Sequence, residues 1–484
     1  MSDRQTAVLA LDIGTTETKG GLVAANGSLI ATARAGYSLE LDLSTGSAEQ
    51  DPEAWWRAVV AVVRQLAAEA GSIAAICCVG QGPTLVAVDD AGQAVRAALT
   101  WMDRRGSEES DAVQAATGLA GFALGILPAA RWVERHEPEA AAAARWYLNA
   151  WEWAAFRFTG VAARTRSPGQ PMATAEQAAA SSVPADRLAP MVDAGMAIGE
   201  LRADVAAELG LPAGIIVVAG TVDSFAGCHG AGLVDAGDAV DTGGTSGGLA
   251  VYADRPVEIP STWVAPAPLA GRWIVGGAMT ATGRALDWFR EEVLGGGPEA
   301  AQRVREASAA PPGADGLLFL PYLAGERSPI WDPLARGAFV GLTLRHGAAH
   351  LGRAILEAAA FALRHVAMPI LDSGLPIPEL RVTGGTAAVD AWNQIKADVL
   401  GVPVAAPEVL EAALLGAAIL AAPGLAWHAD TVSAIRAMVR IERRWQPNPD
   451  LRALYDELFA AYVELWPAIA PTVHRLAALP SPAG

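Results

Sequence analysis

Asp12-Ile13-Gly14-Thr15-Thr16 follows a short apolar run and carries residue types that handle phosphate. A glycine between two strands lets the backbone come close to an anion, and successive peptide N–H groups in such a turn form an anion-binding concavity. The Thr15 and Thr16 hydroxyls add donors, and Asp12 at the strand end offers the hard oxygen that Mg2+ prefers. The plainer reading is a hairpin turn whose aspartate bonds its own backbone. Asp241-Thr242-Gly243-Gly244-Thr245-Ser246 has the same order of residue types. Its glycines, continued by Gly247 and Gly248, are denser than a turn alone requires. Val217 to Ser224 is a strand that ends in Gly220 and delivers Asp223 to a Gly/Ala-rich segment. A carboxylate there can accept the proton of an attacking hydroxyl, or it can simply cap a helix. Gly384-Gly385 ends another strand just before a helix expected over Val389 to Leu400, a setting that suits a nucleotide phosphate or ribose.

Gln81-Gly82-Pro83 and Thr100-Trp101-Met102-Asp103-Arg104-Arg105 combine an amide, an indole, a carboxylate and guanidinium groups on loops. Tryptophan stacks on the apolar face of a sugar ring, while carboxylates accept from its hydroxyls. The alternative is a packed indole beside a solvated charge pair. Trp151 and Trp153 read as core.

The elements that must position these residues follow from the pattern around them. Ala7–Leu11 and Gly20–Ala24 read as strands, Asn26-Gly27 as a hairpin turn, and Leu29–Ala35 as a third strand. Asp51 and Pro52 open a helix through Ala70 as N-cap and first residue, and Ile73–Val79 reads as a further strand. Strand, Asp-x-Gly-x-Thr turn and strand recur from Ala239 to Val251, so the chain contains two related α/β halves. The boundary is placed at residue 237, giving domains 1–237 and 238–484. Leu451 to Ala470 has helical periodicity, and the stretch 160–200 yields little.

Composition narrows the function. The 484 residues suit two domains, and 52% hydrophobic with 18% charged residues is a folded composition. A net charge of −17 argues against nucleic acid as a partner. The long uncharged stretch Ala412 to Trp427 is broken by Pro423 and reads as a buried helix, not a membrane span. The N-terminus lacks a signal-peptide pattern, and three cysteines make no disulfide framework, so a reducing cytoplasm is expected. Only Lys19 and Lys396 are lysines, a bias consistent with a GC-rich genome.

In combination and in order, these stretches resemble the FGGY carbohydrate kinases, and xylulokinases most closely in pattern. The resemblance runs from Thr6 to Leu465 and includes Leu320-Pro321-Tyr322-Leu323-Ala324-Gly325-Glu326-Arg327-Ser328-Pro329, a stretch specific to that family. It implies two ribonuclease-H-like, actin-like ATPase domains around a central cleft, with ATP and Mg2+ as cofactors and a sugar or polyol as substrate. Leu11 to Lys19 corresponds to a first phosphate loop, with Gly14, Thr15 and Thr16 on phosphate and Asp12 on the metal. Gly243, Gly244, Thr245 and Ser246 form a second loop, and Gly283, Gly384 and Gly385 join the nucleotide site. Gln81, Gly82, Pro83, Trp101, Asp103 and Arg105 correspond to the sugar stretch, and Asp223 to the catalytic base. A homodimer fits the family. Gly82-Pro83-Thr84 replaces the Met-His-Gly usual in xylulokinases, Thr386 stands where glycine or alanine is usual, and Ala129 replaces a frequent lysine. A pentulose such as xylulose is the first expectation, glycerol- or erythritol-type polyols the second. An actin-like ATPase without sugar transfer is the reading from another class.

Overall fold

The computed structural model describes residues 6–42, 44–244, 246–307 and 309–479. Thr245, one of the expected phosphate-loop residues, lies outside them. The chain forms two compact units. Unit 1 comprises Met1–Val234, Ala265–Gly271 and Glu411–Val439, and unit 2 comprises Asp235–Val264, Arg272–Leu410 and Arg440–Gly484. The chain thus crosses between units near the expected point and then returns to unit 1 twice.

In unit 1, β1 (Thr6–Ile13), β2 (Glu17–Ala24) and β3 (Leu29–Gly36) form an antiparallel meander. Helix α1 (Pro52–Ala67) starts as read from the sequence, with the Asp51 side chain accepting from the Glu53 N–H and Pro52 in the first position. It packs closely on the meander, since a Cβ at Gly20 would lie 2.4 Å from Val62. β4 (Ser72–Gly80) then runs parallel to β1. Helix α2 (Ala150–Thr159) buries Trp151 and Trp153, as expected. Within the stretch that yielded no elements lies β5 (Ala197–Glu200), an edge strand antiparallel to β6 (Ile216–Val218). β6 is parallel to β4, and the sheet order is β5-β6-β4-β1-β2-β3. Helix α3 (Asp223–Gly230) follows β6.

Unit 2 repeats this plan with β7 (Ala239–Asp241), β8 (Gly247–Ala253), the edge strand β9 (Trp263–Pro266) and β10 (Trp273–Met279). Helix α4 (Ala348–Asp372) is long and apolar enough to cross a membrane, yet it is mostly buried within the unit. Its buried charged residues are paired: Arg353 donates to Glu357 at 2.7 Å and to the Tyr455 hydroxyl at 2.8 Å, and Arg364 bonds Asp456. β11 (Leu380–Val382), helix α5 (Asp390–Leu400) and β12 (Val404–Pro407) complete the repeat. Helix α6 (Ala412–Ala421) belongs to unit 1, and β13 (Ile441–Trp445) and helix α7 (Arg452–Ala477) return to unit 2. The second sheet has the order β9-β10-β8-β7-β11-β12-β13. In both units a meander is joined at its first strand by two parallel strands, the ribonuclease-H-like arrangement expected from the repeat. Helix α7 runs past the expected end at Ala470, through Pro467 and Pro471, and Tyr455, Tyr462 and Trp466 anchor its buried face.

Within unit 1, α6 lies against α3 so closely that only glycine fits at the contacts. A Cβ at Gly416 would sit 1.9 Å from the Ala226 carbonyl oxygen, and one at Gly230 would sit 1.9 Å from that of Ala412. Gly416→Ala is therefore expected to lower stability by about 1–3 kcal/mol, as overpacking does. Gly227→Ala, on α3, faces open space and should gain roughly 0.5–1 kcal/mol from helix propensity. Thermal melts of the two variants check this.

Candidate active site

Strands β1, β4 and β6 run parallel: Ile13 at the end of β1 pairs with Gly80 at the end of β4, and beyond the end of β6 an isolated parallel bridge pairs Val222 with Gly80. Loops that leave the carboxyl ends of such strands converge, which is where open α/β sheets bind ligands. The Gly80 N–H donates to the Thr221 carbonyl at 3.3 Å and the Gln81 N–H to the Ile13 carbonyl at 2.9 Å. Gly220 makes this convergence possible, because a Cβ there would be 1.7 Å from the Cys78 carbonyl oxygen.

The two aspartates singled out in this half meet here. Asp12 ends β1 and Asp223 is the first residue of α3, its Oδ1 accepting from the Ser224 N–H at 2.6 Å. Burial raises the Asp12 carboxyl far above the usual range, and the charge of Asp223 raises it further. Burial raises Asp223 as well, opposed by the Ser224 N–H. Oδ1 of Asp12 is buried without a hydrogen-bond partner. Lys19, opposite Asp12 on β2, opposes the shift, but its ammonium bonds Glu411 at 2.9 Å and lies 4.0 Å from Glu17. The pair thus carries more negative charge than the protein compensates. Among the described residues no cluster of three or more metal-ligating side chains accompanies it. An orphaned carboxylate oxygen beside a second carboxylate fits a hydrated Mg2+, which keeps several waters and takes one or two carboxylates.

The Gly14-Thr15-Thr16 turn is fastened from behind by its carbonyls. That of Gly14 accepts from the Tyr37 hydroxyl at 2.6 Å and Gln81 Nε2 at 3.2 Å, that of Thr15 from Gln50 Nε2 at 2.7 Å, and that of Thr16 from the Tyr37 N–H at 3.1 Å. Gln81 Nε2 also bonds Gln50 Oε1 at 2.8 Å. Gln81, expected on the substrate, is 1% exposed and supports the turn.

Next to the turn is a cavity of about 210 Å3, lined in part by Pro83, Thr100, Trp101, Asp103, Ser107 and Ser110. Trp101 is half-exposed, and its indole N–H donates to Thr15 Oγ1 at 3.0 Å. Gly82 precedes Pro83 through a cis peptide and leans on the Trp151 ring, which a Cβ would approach to 2.7 Å. Asp103 and Arg105 are brought together and spent on each other. Asp103 accepts from the Ala48 N–H at 2.9 Å and from Arg105 Nη2 at 2.6 Å, while Arg105 also bonds Glu49 and lies over the Trp132 ring. Asp103 lines the cavity, and Arg105, outside the lining, holds it in place. Ser107 and Ser110 were not singled out from the sequence, although Ser107 follows Arg105 by only two residues.

In unit 2 the strand-end aspartate is treated differently. Asp241 is almost fully buried and pairs with Lys396 at 2.6 Å. The loop after it meets the Gly384-Gly385 turn: Gly384 has φ 72°, and a Cβ there would be 2.2 Å from the Gly243 carbonyl oxygen. Thr386 faces Gly243, where a Cβ would lie 1.9 Å from its Oγ1, so the departure at Thr386 packs under the loop. Gly283 is buried in the first turn of the helix Thr282–Trp288, and Thr282 Oγ1 would be 2.6 Å from a Cβ at Gly247. Gly243, Gly244, Ser246, Gly283, Gly384 and Gly385 thereby border one loop system. Lys19 and Lys396, the only lysines, each stand beside a strand-end aspartate, a signal present in the sequence but left unused.

Family models for the N-terminal and C-terminal domains of the FGGY family of carbohydrate kinases match residues 7–230 and 239–425. The chain belongs to the FGGY family of carbohydrate kinases. It is 28% identical to a gluconokinase of Bacillus licheniformis over 95% of both chains. It is 29% identical to a xylulose kinase of Bacillus subtilis over 95% of this chain and 96% of that one. A ligand-bound xylulose kinase structure from Lactobacillus acidophilus superposes with a TM-score of 0.84 at 26% identity, covering 97% of this chain and 100% of that one. This FGGY kinase is therefore a sugar phosphotransferase, and its family implies ATP as donor.

Two outcomes follow from the electrostatics. The raised carboxyls bind protons in the folded state that the unfolded chain has released, so stability of the free kinase falls as pH rises from the ordinary carboxylate value near ~3.9 toward neutrality. Asp12→Asn should flatten that slope and raise the melting temperature at neutral pH, as melts across the range will show. Lys396→Met leaves Asp241 buried and unpaired and should cost about 3–5 kcal/mol, much of it restored by adding Asp241→Asn. Chemical denaturation of the single and the double variant tests this.

Proposed function

We propose that this FGGY kinase transfers the γ-phosphoryl group of ATP to a hydroxyl of a neutral sugar, with a pentulose such as xylulose as the first substrate to try. The observation that carries the reading is the uncompensated carboxylate pair Asp12 and Asp223 at the ends of parallel strands, one with an orphaned oxygen. The described lining of the unit 1 cavity contains no lysine, arginine or histidine, and its one carboxylate is engaged by Arg105. A sugar acid would be desolvated there without a cation to meet it, whereas neutral hydroxyls would find Ser107 and Ser110. This favours a ketose or polyol over gluconate.

In the proposed reaction Asp223 accepts the proton of the attacking hydroxyl, for which a carboxyl raised toward neutral pH is suited. The sugar oxygen bonds to the γ-phosphorus as the bridging bond to the β-phosphate breaks, and ADP leaves. Asp12 would hold hydrated Mg2+, which when bound offsets phosphate charge. In unit 1 the backbone of Gly14, Thr15 and Thr16, and in unit 2 that of Gly243, Gly244, Thr245 and Ser246, would donate to phosphate oxygens. Gly283, Gly384 and Gly385 would border the rest of the nucleotide. The buried Cys77, Cys78 and Cys228, none of them in a disulfide, suit a cytoplasmic enzyme.

ADP release with MgATP is measured against xylulose, other pentuloses, polyols and gluconate. Strong stimulation by a neutral sugar is expected. Gluconate as the best substrate would overturn the assignment of sugar class. Asp223→Asn should lower turnover by at least ~100-fold while MgATP still binds, and near-normal turnover would remove Asp223 from the role of base.

A further inference from the structure

One side chain touches both halves of the unit 1 site. The Trp101 ring lines the cavity, and its indole N–H donates to Thr15 Oγ1 at 3.0 Å. Trp101 is held in that pose from its own backbone, whose N–H donates to Thr84 Oγ1 at 3.2 Å. Asp103, two residues on, is tied to Ala48 and Arg105. Thr15 is equally fixed, its carbonyl held by Gln50 at 2.7 Å. A hydroxyl has one hydrogen and two lone pairs. With the indole donating to one lone pair, the Thr15 hydrogen must point away from Trp101, so the group is set to donate outward from the turn. Donation to the oxygen also polarises the O–H bond and strengthens it as a donor.

Resting on the kinase reading, we propose that Trp101 is a positioning residue for the phosphate turn. Its ring face meets the sugar, and its N–H sets the Thr15 hydroxyl as a donor to a phosphate oxygen of ATP. Occupancy of the sugar cavity and grip on phosphate are then linked through a single hydrogen bond, with no movement of the backbone required. A tryptophan that served only as a stacking surface would not need its N–H, and Trp101→Phe would then alter sugar affinity alone.

The test is a double-mutant cycle with Trp101→Phe, which keeps a ring and removes the N–H, and Thr15→Val, which keeps the shape and removes the oxygen. Trp101→Phe is expected to lower sugar-dependent kcat roughly three- to tenfold, the worth of one such hydrogen bond, with sugar KM within about twofold of wild type. In the Thr15→Val background the same change should alter kcat by less than about twofold. Additive effects, or a rise in sugar KM with kcat unchanged, would overturn the link. Calorimetric titration with MgATP, without sugar, reads the same cycle in a second way: non-additive losses of affinity support it and additive ones overturn it. Should no sugar stimulate the wild type while the binding cycle remains coupled, the kinase reading falls and the Trp101–Thr15 link stands.

Discussion

The repulsion between Asp12 and Asp223 is the constraint around which unit 1 is arranged. Two carboxylates without a shared cation do not approach one another unless the backbone holds them there, and here parallel strands and a helix start do so. The nearest cation, Lys19, is drawn aside by Glu411 and Glu17. Stability is surrendered at this point, as is common where a site must receive a ligand. The supports nearby, the glycine contacts and the buried amides of Gln50 and Gln81, keep the strained pair from relaxing.

Comparing the two units shows how one plan yields two outcomes. The same strand order and the same Asp-x-Gly-x-Thr turn occur in both, yet Asp241 is neutralised by Lys396 and nearly sealed from solvent. A paired, buried aspartate braces its loop, and its charge is already met by the lysine. Repetition therefore placed an acid at each strand end, and the lysine on α5 decided which of them remained reactive.

The elements were largely legible because their signals are local. The meander, the Asp51 cap, the helix after Gly385 and the core tryptophans follow from alternation, capping and apolar runs. Asp12 and Asp223 could be singled out from the sequence because each follows an apolar run and lies close to a glycine, a pattern visible over a few residues. The direction of the loop side chains was not. Gln81 turns toward Gln50 and Asp103 toward Ala48 through contacts that span tens of residues; only the Asp103–Arg105 pair, two residues apart, is local. Ser107 and Ser110 became visible only once the cavity wall was closed by residues from Gly121 onward. The end of α7 was misjudged because its last turns are held by a partner distant in the chain: His474 bonds Asp332 at 2.7 Å.

The glycine contact between α3 and α6 bears on how the chain is made. The helix that carries Asp223 is buttressed by residues after Glu411, and the turn at Gly27 is closed by Met438, since a Cβ there would lie 2.1 Å from that residue's carbonyl oxygen. During synthesis the first 234 residues leave the ribosome without this buttress, and most of unit 2 is produced before it appears. Unit 1 is thus not an N-terminal domain that folds and waits. Its reactive acid is backed only when translation is nearly complete, and a nascent or truncated chain holds the parts of the site with an apolar helix face still uncovered.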